Sequence, residues 1–261
     1  MSTSKEVDDL EQQTHTVDYQ QPTLPAPVQH QHLPLHAHME PEDVRVSPFQ
    51  IDLTPSLNGD HHTPPANPGP FGLCAFAVTS FCMGFYNLRA GIKLDAPANS
   101  LAGPAMFAAG FGQLIAGILE YRNGNTFGGT TFSAYGLYWI SYSTFLIPAF
   151  GVSEAYVNYP NDYMTAMGLY LLGWTIFTFM MWTLTWRSNI AASALFFCLG
   201  LTYTFGTISN LAHLGLGNVV QRIGGAFGVL TGCISWYYAM ADLSNTQNSY
   251  FTLPLGRFGR H

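Results

Sequence analysis

Two kinds of sequence meet near Asn67. Before it, polar residues dominate. After it, apolar stretches of about twenty residues follow one another, separated by short polar turns. A helix that crosses bilayer hydrocarbon needs about 20 mostly apolar residues. The pattern predicts six such helices: Phe71–Leu88, Ala98–Leu119, Phe132–Phe150, Tyr163–Trp186, Ile190–Ala212 and Val219–Ala241. The turns are short, so neighbouring helices are expected to run antiparallel, and an even number brings both termini to one side. The expected fold class is an all-α membrane protein with six transmembrane helices per protomer.

The charges sharpen this picture. From Asn67 onward they occur only at Arg89, Lys93, Asp95, Glu120, Arg122, Glu154, Asp162, Arg187, Arg222, Asp242, Arg257 and Arg260, at or near the ends of the apolar runs. A charge at bilayer mid-depth costs about 2.5–3.5 kcal/mol even on the lenient insertion scale, so this spacing is what a membrane demands. With the termini inside, Arg122, Arg187, Arg257 and Arg260 face Arg89, Lys93 and Arg222 outside. That slight bias favours cytoplasmic termini, in a plasma membrane.

The chain divides into residues 1–66, a six-helix domain over 67–245 and a short tail over 246–261. The first 66 residues hold ten acidic and two basic side chains among Pro, Gln and His, against a net charge of −6 for the whole chain. Such a segment buries too little apolar surface to offset its ordering entropy and is expected to be disordered. It lacks the basic start and apolar core of a cleaved signal peptide. His15, His30, His32, His36, His38, His61 and His62 recur without ligand spacing and read as part of a solvated tail, not a metal site. Ser2, Thr3, Ser4, Ser47 and Ser56 are phosphorylation candidates that would make the tail a switch.

Enzyme chemistry finds no purchase in the apolar body. Its histidine at His213 has no H-E-x-x-H around it, and no nucleophile–base pair or carboxylate cluster is visible. Cys74, Cys82, Cys198 and Cys233 stand singly in apolar runs and read as small buried hydrophobes. Nothing calls for a cofactor, a metal or a nucleic-acid partner. Gly224, Gly228 and Gly232 share one helix face, and Gly110, Gly112, Ala116 and Gly117 crowd another; they permit close packing either between subunits or within one bundle.

Three stretches carry a resemblance. Asn67-Pro68-Gly69-Pro70-Phe71-Gly72-Leu73 resembles the N-P-A-P-[LF]-G-L signature of the acetate uptake transporter family, also called GPR1/FUN34/YaaH. The run from Gly112 through Glu120 to Asn125-Thr126-Phe127-Gly128-Gly129-Thr130 is similar to that family's second-helix ending and following loop. Ser133-Ala134-Tyr135-Gly136 resembles its S-Y-G element. The match covers about residues 67–245, with Gly69 departing from the usual Ala. A tail of this length and composition resembles fungal members.

The resemblance implies a homo-hexamer in membrane lipid, with one pathway per protomer. The cargo it implies is acetate and similar small monocarboxylates, proton-linked, with ammonium export as an alternative in fungal members. It also maps an apolar pinch onto Phe76, Tyr135 and Leu199. Such a pinch tolerates a methyl group and resists hydrated inorganic ions. Polar candidates for holding the carboxylate are Asn67, Gln113, Asn125, Thr126 and Ser133. Asn125-Thr126 before Gly128-Gly129 offers backbone N–H groups to an anion, or simply shapes the loop. Glu120, a carboxyl at the edge of an apolar run, is the proton-coupling candidate; its structural alternatives are pairing with Arg122 or capping the Asn123–Thr126 turn. A membrane sensor using the acidic tail is the remaining alternative.

Overall fold

A computed structural model describes residues 66–94, 96–245 and 247–256. The expectations for the acidic tail, its histidines and hydroxyls, and for Asp95, Arg257 and Arg260 lie outside the described residues. The elements of the described residues are all helical, with no strand among them.

Helix α1 (Gly69–Leu88) opens on the proline-rich signature. Asn67 Oδ1 accepts from the Gly69 N–H at 2.9 Å. Pro68 and Pro70 bring no N–H to a helix start, where four would go unpaired. The helix closes at Arg89, which is left-handed at φ 57°. The second span is not uniformly α-helical. A short 3-10 turn (Ala98–Leu101) leads into a π-helix (Pro104–Gly112), and α-geometry resumes as α2 (Gln113–Arg122). The Pro104 carbonyl accepts from Thr79 Oγ1 on α1 at 3.0 Å.

Helix α3 (Thr126–Leu146) begins six residues before its expected start at Phe132. The Thr-Phe-Gly-Gly-Thr-Thr stretch reads as a loop, but Asn125 caps it, its Oδ1 accepting from Gly128 N–H at 3.0 Å. Pro148 stops the helix short of the expected Phe150. A short helix α4 (Val152–Ala155) precedes α5 (Pro160–Thr183), α6 (Ile190–Leu211) and α7 (Val219–Leu243). Asn189 and Asn218 cap α6 and α7, accepting from Ala192 and Gln221 N–H at 2.7 and 2.8 Å. The chain then doubles back, and the carbonyls of Gly256 and Leu255 accept from the first amides of α6, Ile190 and Ala191, both at 3.1 Å.

Among the described residues, four helical segments are long and apolar enough to cross a membrane: Gly69–Leu88, Ala98–Arg122, Pro160–Thr183 and Ile190–Leu211. The protein is therefore an integral membrane protein. Helices α3 and α7 have the length, 21 and 25 residues, but Gly, Ser, Thr and Tyr dilute their hydropathy.

The helices are joined by two unlike kinds of seam. Between α1 and α7 the backbones touch: a Cβ at Gly225 would sit 2.7 Å from the Gly84 carbonyl, and one at Gly232 3.0 Å from the Ala77 carbonyl. Gly224 faces Phe205 of α6, while Gly110 and Gly117 face Ile140 and Ser133 of α3. These small residues thus serve packing within one bundle. Helices α3 and α5 meet instead through rings. Tyr138 stacks on Tyr170 at 5.8 Å, and Tyr135 meets Trp174 and Phe177 at 6.0 and 5.5 Å. Large rings hold these helices apart and fill the middle of the bundle. The cysteines divide: Cys198 is buried and Cys74 half-buried, whereas Cys82 and Cys233 lie on the exposed outer face.

Candidate functional site

The middle of the bundle is where α1, α2, α3 and α6 converge. Phe76 comes from α1, Tyr135 from α3 and Leu199 from α6; each is 3% exposed or less. All three line one narrow cavity of about 20 Å³, together with Leu73, Phe132, Leu195 and Phe196. That volume admits about one water molecule. The apolar positions on each helix recur at helical spacing, which is why three separate helices turn rings and a leucine to a common point.

Two polar side chains break the apolar lining, Gln113 and Thr131. Both are almost wholly buried, and Gln113 Oε1 and Thr131 Oγ1 have no hydrogen-bond partner. Leaving a buried polar group unpaired costs about 1–3 kcal/mol, so a pair of them facing one cavity fits a guest that hydrogen-bonds there. Gln113 is the first residue after the π-helix, and Thr131 stands one turn before Tyr135 on α3. The Tyr135 hydroxyl is engaged elsewhere, with Thr178 Oγ1 on α5 at 2.8 Å. That bond orients its ring against the cavity.

The other polar candidates lie elsewhere. Asn67, Glu120, Asn125 and Thr126 gather at the end of the bundle where α1 begins. Asn67 is half-buried and occupied with Gly69 N–H, and Thr126 is exposed. Glu120 and Asn125 are fully or almost fully buried and bonded to each other, Asn125 Nδ2 donating to Glu120 Oε2 at 2.7 Å. Glu120 Oε1 has no partner; a Cβ added to Gly69 would come within 3.3 Å of it. Asp242, at the end of α7, lies close enough to act on Glu120 electrostatically. Glu120 thus neither pairs with Arg122, which is exposed, nor caps the turn by its side chain; it holds the residue that does. Ser133 is turned away from the cavity into the α2–α3 seam, against Gly117. His213 is exposed, its Nε2 at 2.9 Å from Thr165 Oγ1.

Thr131 was absent from the sequence-based candidates. Its signal was its place four residues before Tyr135, one turn away on the same helix face. Beyond the cavity, an aromatic column runs toward the opposite end of the bundle. Tyr138 meets Trp174, Tyr203 and Tyr142 at 5.0, 5.1 and 5.6 Å. Tyr170 OH pairs with Ser141 Oγ at 2.7 Å and donates to the Tyr138 carbonyl at 3.1 Å. No group of His, Cys, Asp and Glu fit to hold a metal ion occurs among the described residues.

A family model described as the GPR1/FUN34/yaaH family matches residues 49–260. The ammonia transport outward protein 2 of Saccharomyces cerevisiae is 43% identical over 196 residues, 72% of this chain and 67% of that protein. The acetate permease A of Emericella nidulans is 33% identical over 230 residues, 85% of this chain and 76% of that protein. The solved structure of the bacterial acetate channel SatP aligns with a TM-score of 0.63 at 32% identity, over 74% of this chain and 99% of that one.

Proposed function

The chain belongs to the GPR1/FUN34/yaaH family, and on that premise we propose that it passes acetate and similar small monocarboxylates across a membrane. The observation that carries the reading is the cavity between Phe76, Tyr135 and Leu199, apolar except for the unpaired Gln113 and Thr131. A two-carbon acid has a methyl group for the apolar wall and oxygens for the two polar side chains. A hydrated inorganic ion would have to shed its water against rings that return nothing.

The remaining assignments follow from this reading. The chain crosses the membrane six times, with α3 and α7 completing the four more apolar spans. Both termini are cytoplasmic, the membrane is the plasma membrane, and residues 1–66 are an appended tail. Protomers assemble as a hexamer, each with its own pathway. The apolar outer faces, where Phe107, Ile176 and Val219 are each more than 60% exposed, meet lipid or neighbouring copies. Transport is proton-linked, with Glu120 as the carboxyl that exchanges the proton. The protein moves its cargo without altering it and is not an enzyme.

One observation favours a second cargo. Ammonium binds well to aromatic faces, and the column of Tyr138, Tyr142, Tyr170, Tyr203 and Trp174 offers them in series. Acetate remains the preferred reading because the same column carries hydroxyl donors and leads to an amide and a hydroxyl, whereas no carboxylate lines the cavity.

The test is labelled acetate uptake into proteoliposomes at acidic and neutral external pH, with Phe76→Ala and Tyr135→Ala alongside. Saturable uptake that rises in acid and changes in both variants is the expected result. Uptake no faster than in protein-free liposomes would sink the acetate reading and bring ammonium flux forward.

A further inference from the structure

At the end of the bundle opposite the Asn67 signature, α1 finishes on a buried cation. Arg89 is only 9% exposed. Its backbone is left-handed, a conformation that L side chains adopt at a cost and that glycine adopts freely. The guanidinium lies over the Tyr86 ring, 4.6 Å from the centroid. Its Nη1 reaches the Lys93 carbonyl at 3.3 Å, a long bond. Its Nε is buried and has no acceptor. Among the described residues no carboxylate forms an ion pair with it. A guanidinium carries five N–H donors, and burying it without a counter-charge is unfavourable. Arg89 is thus a buried cation with one donor unspent among the described residues, at the left-handed residue on which α1 ends.

Its location gives the charge a use. Tyr86 lies ten residues beyond Phe76 on α1, about 15 Å along the helix axis. Its hydroxyl is tied to the Ala96 carbonyl at 2.5 Å, at the end of the bundle toward which the aromatic column runs. Tyr142 stacks on Tyr138, Tyr138 meets Trp174 edge to face, and Trp174 abuts Tyr135 at the cavity. The column thus ends at the same end of the bundle as Arg89 and Tyr86. The loop before α7 closes over the arginine stem: a Cβ at Gly217 would lie 3.6 Å from Arg89 Cγ. Lys93 and Arg222 stand at the same end, as do Glu154 and Asp162.

We infer that Arg89 is a carboxylate-capture site at the mouth of the pathway, binding a small monocarboxylate through its guanidinium before the anion passes along the tyrosines to Gln113 and Thr131. This rests on the acetate reading above. The planar fork of arginine matches the two oxygens of a carboxylate, and Nε is one of the donors such a pair uses. A fixed cation at an entrance raises the local anion concentration, so it acts on affinity and on salt dependence more than on maximal rate.

The experiment is acetate influx into proteoliposomes as a function of acetate concentration, at low and high ionic strength, for wild type, Arg89→Lys, Arg89→Gln and Arg89→Gly. Glycine relieves the left-handed backbone, so Arg89→Gly should unfold no earlier than wild type while losing the charge. Both neutral variants are expected to raise KM about tenfold or more, the loss of a charged hydrogen bond, with the maximal rate within about twofold. Arg89→Lys falls between, and the salt dependence of KM disappears with the charge. An unchanged KM in an Arg89→Gly protein as stable as wild type overturns the inference. If wild type itself carries no acetate, the transport reading has failed. Calorimetric titration of the detergent-solubilised proteins with acetate then still decides for Arg89, since equal affinities of wild type and Arg89→Gly refute the site.

Discussion

Replacing Asn125 by serine is expected to destabilise the protein through Glu120, a residue the substitution does not touch. Asn125 makes two bonds with one side chain: Oδ1 caps α3 through Gly128 N–H at 3.0 Å, and Nδ2 donates to Glu120 Oε2 at 2.7 Å. Serine is as good an N-cap as asparagine, so it keeps the first bond and loses the second. Glu120 is fully buried and its other oxygen already lacks a partner. Removing the amide therefore strands the whole carboxyl. The penalty is about 1–3 kcal/mol if the group is neutral. It rises to about 3–5 kcal/mol if the group is ionised when its partner goes. Alanine at 125 should cost about 1 kcal/mol more, the value of the cap. The assay is unfolding in detergent followed by tryptophan fluorescence, with each variant made again in a Glu120→Ala background. There the amide serves nothing, and the cost of serine should shrink to within about 0.5 kcal/mol of zero. Equal cost in both backgrounds would refute the reasoning.

Three further outcomes are expected. Gly225→Ala drives a methyl against the Gly84 carbonyl and the Leu88 amide, both at 2.7 Å, so the α1–α7 seam must open. It should cost about 1–3 kcal/mol or more, while Gly173→Ala, with nothing within 4 Å, should be neutral or slightly stabilising in the same unfolding assay. Truncation after Tyr250 removes the carbonyls that accept from Ile190 and Ala191 and the Pro254 carbonyl bonded by Tyr237. It should lower stability by about 1–2 kcal/mol and speed maleimide labelling of Cys233, which lines the groove under that segment. Deleting residues 1–60 should leave acetate uptake per reconstituted protein unchanged, and a loss of flux would show that the tail takes part in transport.

The positions of the helices were legible because a bilayer tolerates so few sequence patterns. Charges at the ends of apolar runs placed α1, α5, α6 and α7 to within a few residues. The start of α3 was not, because its glycines and threonines carry a loop's composition; the capping bond of Asn125 outweighs that bias. The gathering of Phe76, Tyr135 and Leu199 at one cavity was visible through the motifs that flank the first two. Which polar residues would join them was not. Gln113 reaches the cavity, but Ser133, equally polar and two positions from Thr131, faces α2 instead, and only the rotation of α3 decides between them. Glycine spacing told that some backbone comes close but not whose; the answer, α1 against α7, depends on long-range packing that periodicity does not encode.

The π-helix over Pro104–Gly112 also behaves as an angular setting. Each residue in an α-helix advances the side chains by about 100° and the axis by about 1.5 Å. A wide turn absorbs residues without that full rotation, so the direction in which Gln113 leaves the helix is fixed by the number of residues upstream as much as by the identity of Gln113 itself. Were the same residues to tighten to α-geometry with none removed, everything from Gln113 to Glu120 would swing round the helix axis, and the amide would leave the cavity as the carboxyl left Asn125. Losing one residue between Phe107 and Phe111 would instead let the wide turn close while roughly keeping that direction. A single-residue deletion there should therefore disturb the cavity and the buried carboxyl less than one inside α2, which turns all that follows by about 100°.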